Sequence, residues 1–230
     1  INQTRNAISV DSYEKNYCMV LDDNSVQCWG FGNYGWYGNF IPGTMAGNTL
    51  DNSTTPISVK NINSAISVSP GSHHSCALLD NKTIQCWGFN YFYELGNGTR
   101  DNSSTPTAVK NINTATAVSS GMHHSCALLD NKTIQCWGYG AYGQMGRSDC
   151  TNCASDRPIP VSNITTATQV SSGQYHTCAV LEDKTVQCWG LGNNGVLGIG
   201  SSDNSSVPVT VSNITDATLV RAGKQHSCAV

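Results

Sequence analysis

Pairs of cysteines ten residues apart occur four times: Cys18 and Cys28, Cys76 and Cys86, Cys126 and Cys136, Cys178 and Cys188. Thiols at one repeated spacing can bridge one another, hold a metal or carry redox chemistry. A histidine stands two residues before the first cysteine of three pairs, at His74, His124 and His176, and again at His226 before a lone Cys228. A ring of such histidines facing a common axis could hold a metal or an anion. Packed inside the repeat they would be structural, which is the expectation here. Cys150 and Cys153 lie in "SDCTNCASD" (148–156). Cys-x2-Cys is a zinc-ligand spacing, yet no second pair and no nearby histidine completes a site, so a local disulfide is expected and zinc is the alternative. No hydrolase, phosphate-loop, zinc-peptidase or calcium-loop motif occurs, and no carboxylate pair recurs at a fixed place. The expectation is a non-enzyme without cofactor or bound metal.

The elements that would position these residues are written in repeats. "HHSCALLDNKTIQCWG" occupies 73–88 and recurs unchanged at 123–138. Aligned on Cys-Trp-Gly, four copies place that cysteine at 28, 86, 136 and 188, and a fifth copy opens as "VRAGKQHSCAV" (220–230). Within each copy an alternating stretch leads to a glycine, as in "ATAVSSG" (115–121). The cysteine pair follows, then an aromatic, glycine-rich loop such as "YGAYGQMG" (139–146), then a β-branched run such as "STPTAVKNI" (104–112). These read as short strands between turns, with no helical period.

The identical segment reads as a β-hairpin, with arms "SCALL" and "TIQCW" and the tip at Asp80-Asn81-Lys82. Counting back from the tip, Leu78 faces Ile84 and Cys76 faces Cys86. Opposed residues of an antiparallel pair sit ~4.5–5.5 Å apart, which suits a cross-strand disulfide. Both faces of the hairpin are apolar: Cys76, Leu78, Ile84 and Cys86 on one, Ala77, Leu79 and Trp87 on the other. Such a hairpin needs a neighbour on each side, the sign of stacked units. Repeated thiol pairs at this spacing point to an oxidising compartment.

The chain has 230 residues, only 12% of them charged, and a net charge of −3. That balance gives no electrostatic reason to expect nucleic acid or an anionic membrane as partner. No apolar run approaches the ~20 residues of a membrane helix. The sequence opens at Ile1 without a signal peptide, so a removed leader or a longer parent chain is expected.

The pattern G-x-x-H-[ST]-C-A-[LV]-L followed by T-[IV]-Q-C-W-G-x-x-x-x-G-x-x-G resembles the RCC1 (regulator of chromosome condensation) repeat, especially in secreted, cysteine-bearing bacterial relatives. It is carried by Gly121, His124, Ser125, Cys126, Ala127, Leu128, Trp137, Gly138, Gly143, Gln144, Met145 and Gly146, and next by Gly173, His176, Thr177, Cys178, Ala179, Trp189, Gly190, Gly195, Leu197 and Gly198. The resemblance implies an all-β fold: a β-propeller of roughly 50-residue units, each a four-stranded blade. Four full units, about 7–60, 65–110, 115–162 and 167–212, and a partial fifth at 217–230 are expected. Relatives usually close with seven blades, which implies that these residues belong to a longer chain; a short open array is the alternative. The resemblance also implies that the repeated histidine packs within its blade and bonds backbone. The tryptophans Trp29, Trp87, Trp137 and Trp189 are expected between blades. The first unit departs from the pattern, with Tyr13-Glu14-Lys15-Asn16-Tyr17 where others have Gly-x-x-His-Ser.

A family that hosts unrelated activities on one scaffold leaves function to its loops. Tyr34, Trp36, Tyr37, Tyr91, Phe92, Tyr93 and Tyr142 lie in the glycine-rich loops and vary between copies. Variation argues for partner or glycan contact; loop packing is the plain alternative. Asn-x-Ser/Thr triplets at Asn52, Asn81, Asn97, Asn102, Asn131, Asn163, Asn204 and Asn213, and at Asn2, are candidate glycosylation sites, although Asn, Ser and Thr are also turn residues. The expected function is a secreted or cell-surface scaffold for protein binding or self-assembly, in adhesion or as an appendage subunit. The alternatives are a secreted protein inhibitor of an enzyme and a propeller enzyme with an axial metal site. The nucleotide exchange and chromatin binding of the family's nuclear member find no basic surface here.

Overall fold

The hairpin is built from its tip outward. Leu79 N–H donates to the Thr83 carbonyl at 2.9 Å and Lys82 N–H to the Leu79 carbonyl at 3.0 Å. Lys82 takes the left-handed position at φ 64° that closes a three-residue loop. Asn81 Oδ1 accepts from both N–H and Oγ1–H of Thr83, which holds the turn. The same bonds recur at Asn131 with Thr133 and at Asp183 with Thr185. This tip fixes the register, so Leu78 faces Ile84 and Cys76 faces Cys86. In a computed structural model, which describes residues 5–30, 53–150 and 153–230, all four ten-residue pairs are disulfides with Cα atoms 4.1 Å apart. That is the short separation of directly opposed antiparallel residues.

Each hairpin supplies the middle strands of a four-stranded antiparallel sheet. The first contains β1 (Ala7–Tyr13), β2 (Asn16–Leu21), β3 (Val26–Gly30) and β4 (Ser53–Ser58). The second contains β5 (Ala65–Pro70), β6 (His74–Leu79), β7 (Ile84–Gly88) and β8 (Ser103–Ala108), and the third β9 (Ala115–Ser120), β10 (His124–Leu129), β11 (Ile134–Tyr139) and β12 (Ala154–Pro160). The fourth contains β13 (Ala167–Ser172), β14 (His176–Leu181), β15 (Val186–Gly190) and β16 (Ser205–Thr210); β17 (Val220–Ala222) and β18 (Ser227–Ala229) form a two-stranded fifth. Strand order follows chain order in every sheet. The glycine of each Cys-Trp-Gly marks a register shift between third and fourth strands. Gly138, at φ 97°, adopts backbone that a side chain would resist.

The core lies between sheets, not within them. In one cluster the third unit's Cys126, Leu128, Ile134 and Cys136 meet the fourth unit's Ala167, Val170, Ala179, Leu181 and Trp189. The same partition joins the first unit to the second and the second to the third. So the disulfide face of each unit packs on the alanine, leucine and tryptophan face of the next. Trp87, Trp137 and Trp189 are fully buried. Burial of each is worth roughly 4–6 kcal/mol by area, far more than a net ~1 kcal/mol hydrogen bond. The bond instead sets orientation: Trp137 Nε1 donates to the Glu94 carbonyl at 2.8 Å, and Trp189 Nε1 to the Gln144 carbonyl at 2.9 Å.

The repeated histidine also crosses the seam, which corrects the expectation of a backbone bond within its own blade. His74 Nε2 pairs with Ser125 Oγ at 2.6 Å, His124 Nε2 with Thr177 Oγ1 at 2.9 Å, and His176 Nε2 with Ser227 Oγ at 2.9 Å. Each hydroxyl belongs to the following unit and precedes its cysteine. In the first unit Asn16 takes this role, donating Nδ2–H to the carbonyls of Gly71 and Ser72. A Cβ on Gly121 would collide with the Gly173 carbonyl and lie 2.7 Å from His124 Cε1, which explains the glycine three residues before the histidine. The three imidazoles are thus engaged between sheets. Among the described residues no group of His, Cys, Asp and Glu is placed to hold a metal. Cys150 and Cys153 are bonded to each other, with Cα atoms 5.2 Å apart.

First strands of successive sheets pack side by side. All five line one polar cleft of about 350 Å³, through residues such as Asp11, Ser69, Ser119, Ser171 and Arg221. Lys224 Nζ of the fifth unit reaches Glu14 Oε1 of the first at 3.1 Å. Along the tips Lys82 pairs with Asp130, and Lys132 with Glu182.

Two outcomes are expected. Replacing Cys126 and Cys136 together with Ala should lower stability by about 2–3 kcal/mol, read as a lower urea midpoint with the β-sheet circular dichroism retained. The second concerns pH. Burial pushes the His124 imidazole down to about 3 and His176 to about 4. Between those values and the ~6.5 of an unfolded histidine, the unfolded chain binds protons that the folded chain refuses. Stability should therefore be fully present above pH 6.5 and fall as pH drops towards 4. His124→Asn, which copies the first unit's Asn16, should flatten that slope by at most about 1.4 kcal/mol per pH unit, measured as the urea midpoint against pH.

Candidate functional site

In a sheet whose strands follow chain order, the loops joining first to second strands and third to fourth strands emerge at one end. The hairpin tips lie at the other. The two loops of a unit are tied together there: Phe89 N–H donates to the His73 carbonyl at 2.9 Å, and Tyr139 N–H to the His123 carbonyl and Leu191 N–H to the Tyr175 carbonyl, both at 2.8 Å. Ring-bearing residues from two loops and three units thus come to one edge.

They form a continuous ribbon. His73 lies 4.9 Å from His123, ring centre to ring centre, and Phe92 lies 5.2 Å from His123 and 4.8 Å from Tyr139. Tyr139 lies 6.1 Å from Tyr142 and 6.3 Å from Tyr175, and Tyr142 lies 5.0 Å from Tyr175. Phe89 and Tyr91 extend it at the other end. Tyr91 is 58% exposed and Tyr142 38%, while Phe92, Tyr139 and Tyr175 are half-buried. Rings at these separations attract one another beyond simple burial. Desolvation pushes the Tyr139 and Tyr175 phenols up, so they remain neutral hydroxyls.

Glu94 holds the ribbon from beneath. Its side chain is fully buried; Oε2 accepts from Phe92 N–H at 2.8 Å and Oε1 pairs with His123 Nδ1 at 3.0 Å. Burial raises its carboxyl above the usual range, opposed by the bond to His123. Burial, then the neighbouring His123, drives His73 down to about 4. Gln144 does the same job one unit on, with Oε1 accepting from Tyr142 N–H at 2.9 Å. Tyr93 lies at the ribbon's edge beside Arg100, whose guanidinium sits 4.6 Å from the Tyr93 ring centre and 5.8 Å from that of Tyr91.

Of the aromatic residues singled out in the sequence, Tyr91, Phe92 and Tyr142 lie in the ribbon and Tyr93 flanks it. Tyr34, Trp36 and Tyr37 fall outside the described residues, as does Asn52. Sequence reasoning missed Phe89, Tyr139, Tyr175 and Glu94, and gave no role to His73 and His123, which are half-buried ribbon members. A signal existed. The position before the repeated histidine reads His73, His123, Tyr175 and Gln225, and the position after Cys-Trp-Gly reads Phe89, Tyr139 and Leu191. Both vary between copies, as the loop aromatics do. The Asn-x-Ser/Thr asparagines divide by end. Asn81, Asn131, Asn163 and Asn213 are exposed at the hairpin-tip end, where Asn163 and Asn213 hold φ 58° and 59°. Asn97, Asn102 and Asn204 lie in the ribbon-end loops, their Oδ1 atoms accepting backbone N–H groups of Thr99, Asn90 and Gly192.

Disulfide-pinned four-stranded sheets set about a polar cleft, with varied loops at one end, define a β-propeller repeat protein. The chain belongs to the family of the regulator of chromosome condensation (RCC1) repeat, whose models match residues 65–94, 115–144 and 167–196, and 85–128, 135–180 and 185–230. No curated protein matches the sequence closely enough to count as a relative. Among solved structures, Prp20p from Saccharomyces cerevisiae is similar at 20% identity with a TM-score of 0.83, covering 100% of this chain and 56% of that one. Human WBSCR16 is similar at 15% identity and a TM-score of 0.67, covering 98% and 72%. The ectodomain of the Arabidopsis thaliana receptor kinase ACR4 is similar at 17% identity and a TM-score of 0.56, covering 100% and 63%. These likenesses show the fold. The chain spans a little over half the length of Prp20p.

Glu94 should tolerate an amide and resist truncation. Glu94→Gln, which copies Gln144, should change stability by less than about 1 kcal/mol, whereas Glu94→Ala strands the Phe92 N–H and should cost about 2–4 kcal/mol. Thermal unfolding of both variants checks this.

Proposed function

We propose that this chain is a non-catalytic RCC1-repeat scaffold, working outside the cell or on its surface, that binds a protein through the aromatic ribbon. The observation that carries the reading is the continuity of the ribbon across three units. Aromatic residues on rigid supports are the usual anchors of protein interfaces, because they bury large area with little side-chain freedom to lose. Hairpin disulfides in every full unit suit an oxidising compartment. Among the described residues no helix is long and apolar enough to cross a membrane. Similar folds supply precedent: Prp20p is described with its binding to Gsp1p and histones, and bound by Kap60. The similar part of ACR4 is an ectodomain. Adhesion and assembly of a surface appendage are the roles that fit such a scaffold. Inhibition of a secreted enzyme is the second reading, favoured by the gathering of aromatic side chains at one end.

A photo-crosslinking residue placed at Tyr142 should capture the partner from the source's surface or secreted fraction, while one placed at Asn81, at the opposite end, should not. Combining Tyr91→Ala with Tyr142→Ala should weaken partner binding at least about thirtyfold and leave Tm within a few degrees. Equal binding by the double variant would remove the ribbon from the function.

A further inference from the structure

We infer that the ribbon is built to take an extended, acidic peptide segment of a protein partner, whose carboxylate lands on Arg100 and whose uncharged side chains run along Tyr91, Phe92, Tyr139 and Tyr142. The inference rests on the protein-binding reading and names its partner chemistry.

Arg100 is the starting point. Arg5, Arg147 and Arg157 each meet a carboxylate, at Asp23, Asp149 and Asp156. Arg221 donates to the Val220 carbonyl. Arg100 is exposed and meets no acceptor among the described residues; it lies over Tyr93 and Tyr91 instead. A guanidinium held by ring faces keeps its in-plane N–H fork open, the geometry that grips a carboxylate with two bonds.

The loop beneath is braced in a way its counterparts are not. Asn90 stands where the next two units have Gly140 and Gly192. Its buried Nδ2 donates to the carbonyls of Thr99 at 2.8 Å and Asp101 at 3.1 Å, which flank Arg100, and its Oδ1 accepts from Leu95 N–H at 2.9 Å. Tyr93 stands at φ 68° where Gly143 and Gly195 hold φ 85° and 71°. Backbone there favours glycine, so packing alone gives no reason for a tyrosine; a platform for Arg100 does. Fixing the cation in advance lowers the ordering cost of binding.

Beyond Arg100 the ribbon favours uncharged side chains. Glu94 beneath it is buried and bonded to His123, and Glu14 near its His73 is paired with Lys224. Along the middle of the ribbon the rings turn or tilt, 88° between Tyr91 and Phe92, 54° between Phe92 and Tyr139 and 74° between Tyr139 and Tyr142, while Phe89 and Tyr91 at its end lie within 28° of parallel. Turned rings leave notches between them that suit peptide side chains; a saccharide would stack on coplanar open faces.

The test uses an array of short synthetic peptides, each with one Asp followed by varied apolar and aromatic residues and each paired with its Asn twin. The tightest binder is then titrated against the purified chain by fluorescence anisotropy. The Asp peptide should bind about tenfold tighter than its Asn twin, and Arg100→Gln should erase that difference. Tyr93→Gly should weaken the Asp peptide without lowering Tm, which separates binding from folding. Equal affinity of the twins, with binding still lost in Tyr142→Ala, would overturn the acidic partner and leave the protein-binding reading standing. Binding of a saccharide array with no peptide bound would overturn both.

Discussion

Everything in this molecule depends on the seam between one unit and the next. A two-stranded hairpin with apolar side chains on both faces cannot bury them alone, and repeats of this kind gain stability from their neighbours. The seam works because its two sides differ in shape. One side is raised by the cystine and the aliphatic residues around it, as with Cys126, Cys136, Leu128 and Ile134. The other is low at Ala179 and filled at Trp189. The alanine leaves room for the cystine, and the indole fills what remains. Disulfide and tryptophan are therefore two halves of one contact, contributed by different units.

Hydrophobic contact alone would let such faces slide. Directional bonds fix the alignment. The histidine-to-hydroxyl pairs and the indole-to-carbonyl bonds each reach from one unit into the next. Both are buried, where a polar group left without its partner is costly, so a slipped alignment is penalised at two points in the seam between the second and third units and in that between the third and fourth. The ribbon inherits this precision. Phe92 touches Tyr139, and Tyr142 touches Tyr175, only because the seams hold separate loops in step. Glu94 makes the link explicit: its carboxylate carries the ribbon through Phe92 and His123, and its own carbonyl receives Trp137 of the seam.

The hairpins and their disulfides were legible in the sequence, because a cross-strand pair is set by local counting from a turn. The stacking of units was legible too, from the two apolar faces. The histidine's partner was not, since Ser125 lies 51 residues beyond His74 and no local period connects them. Only the recurrence of a hydroxyl before each second-strand cysteine, at Ser75, Ser125, Thr177 and Ser227, hinted at it. Half of the ribbon was legible, from aromatic residues that changed between copies. The other half hid beside the motif: His73 and His123 look like part of a repeated His-His pair, yet the second histidine faces the seam and the first faces the ribbon.

Comparison of equivalent positions within the chain separates the two demands. Positions in the seam change little from unit to unit, since each must fit the same neighbour: Ala77, Ala127 and Ala179, or Trp87, Trp137 and Trp189. At the ribbon end the equivalents diverge, as in Glu94, Gln144 and Val196, or Tyr93, Gly143 and Gly195. The second unit holds the more demanding residue in both sets: a carboxylate buried where an amide also caps the loop, and a tyrosine in backbone that favours glycine. Stability does not ask for either choice. The two lie in one loop beneath and beside the most exposed ring of the ribbon, Tyr91, so the divergence that the seam does not require is concentrated in the second unit's loop.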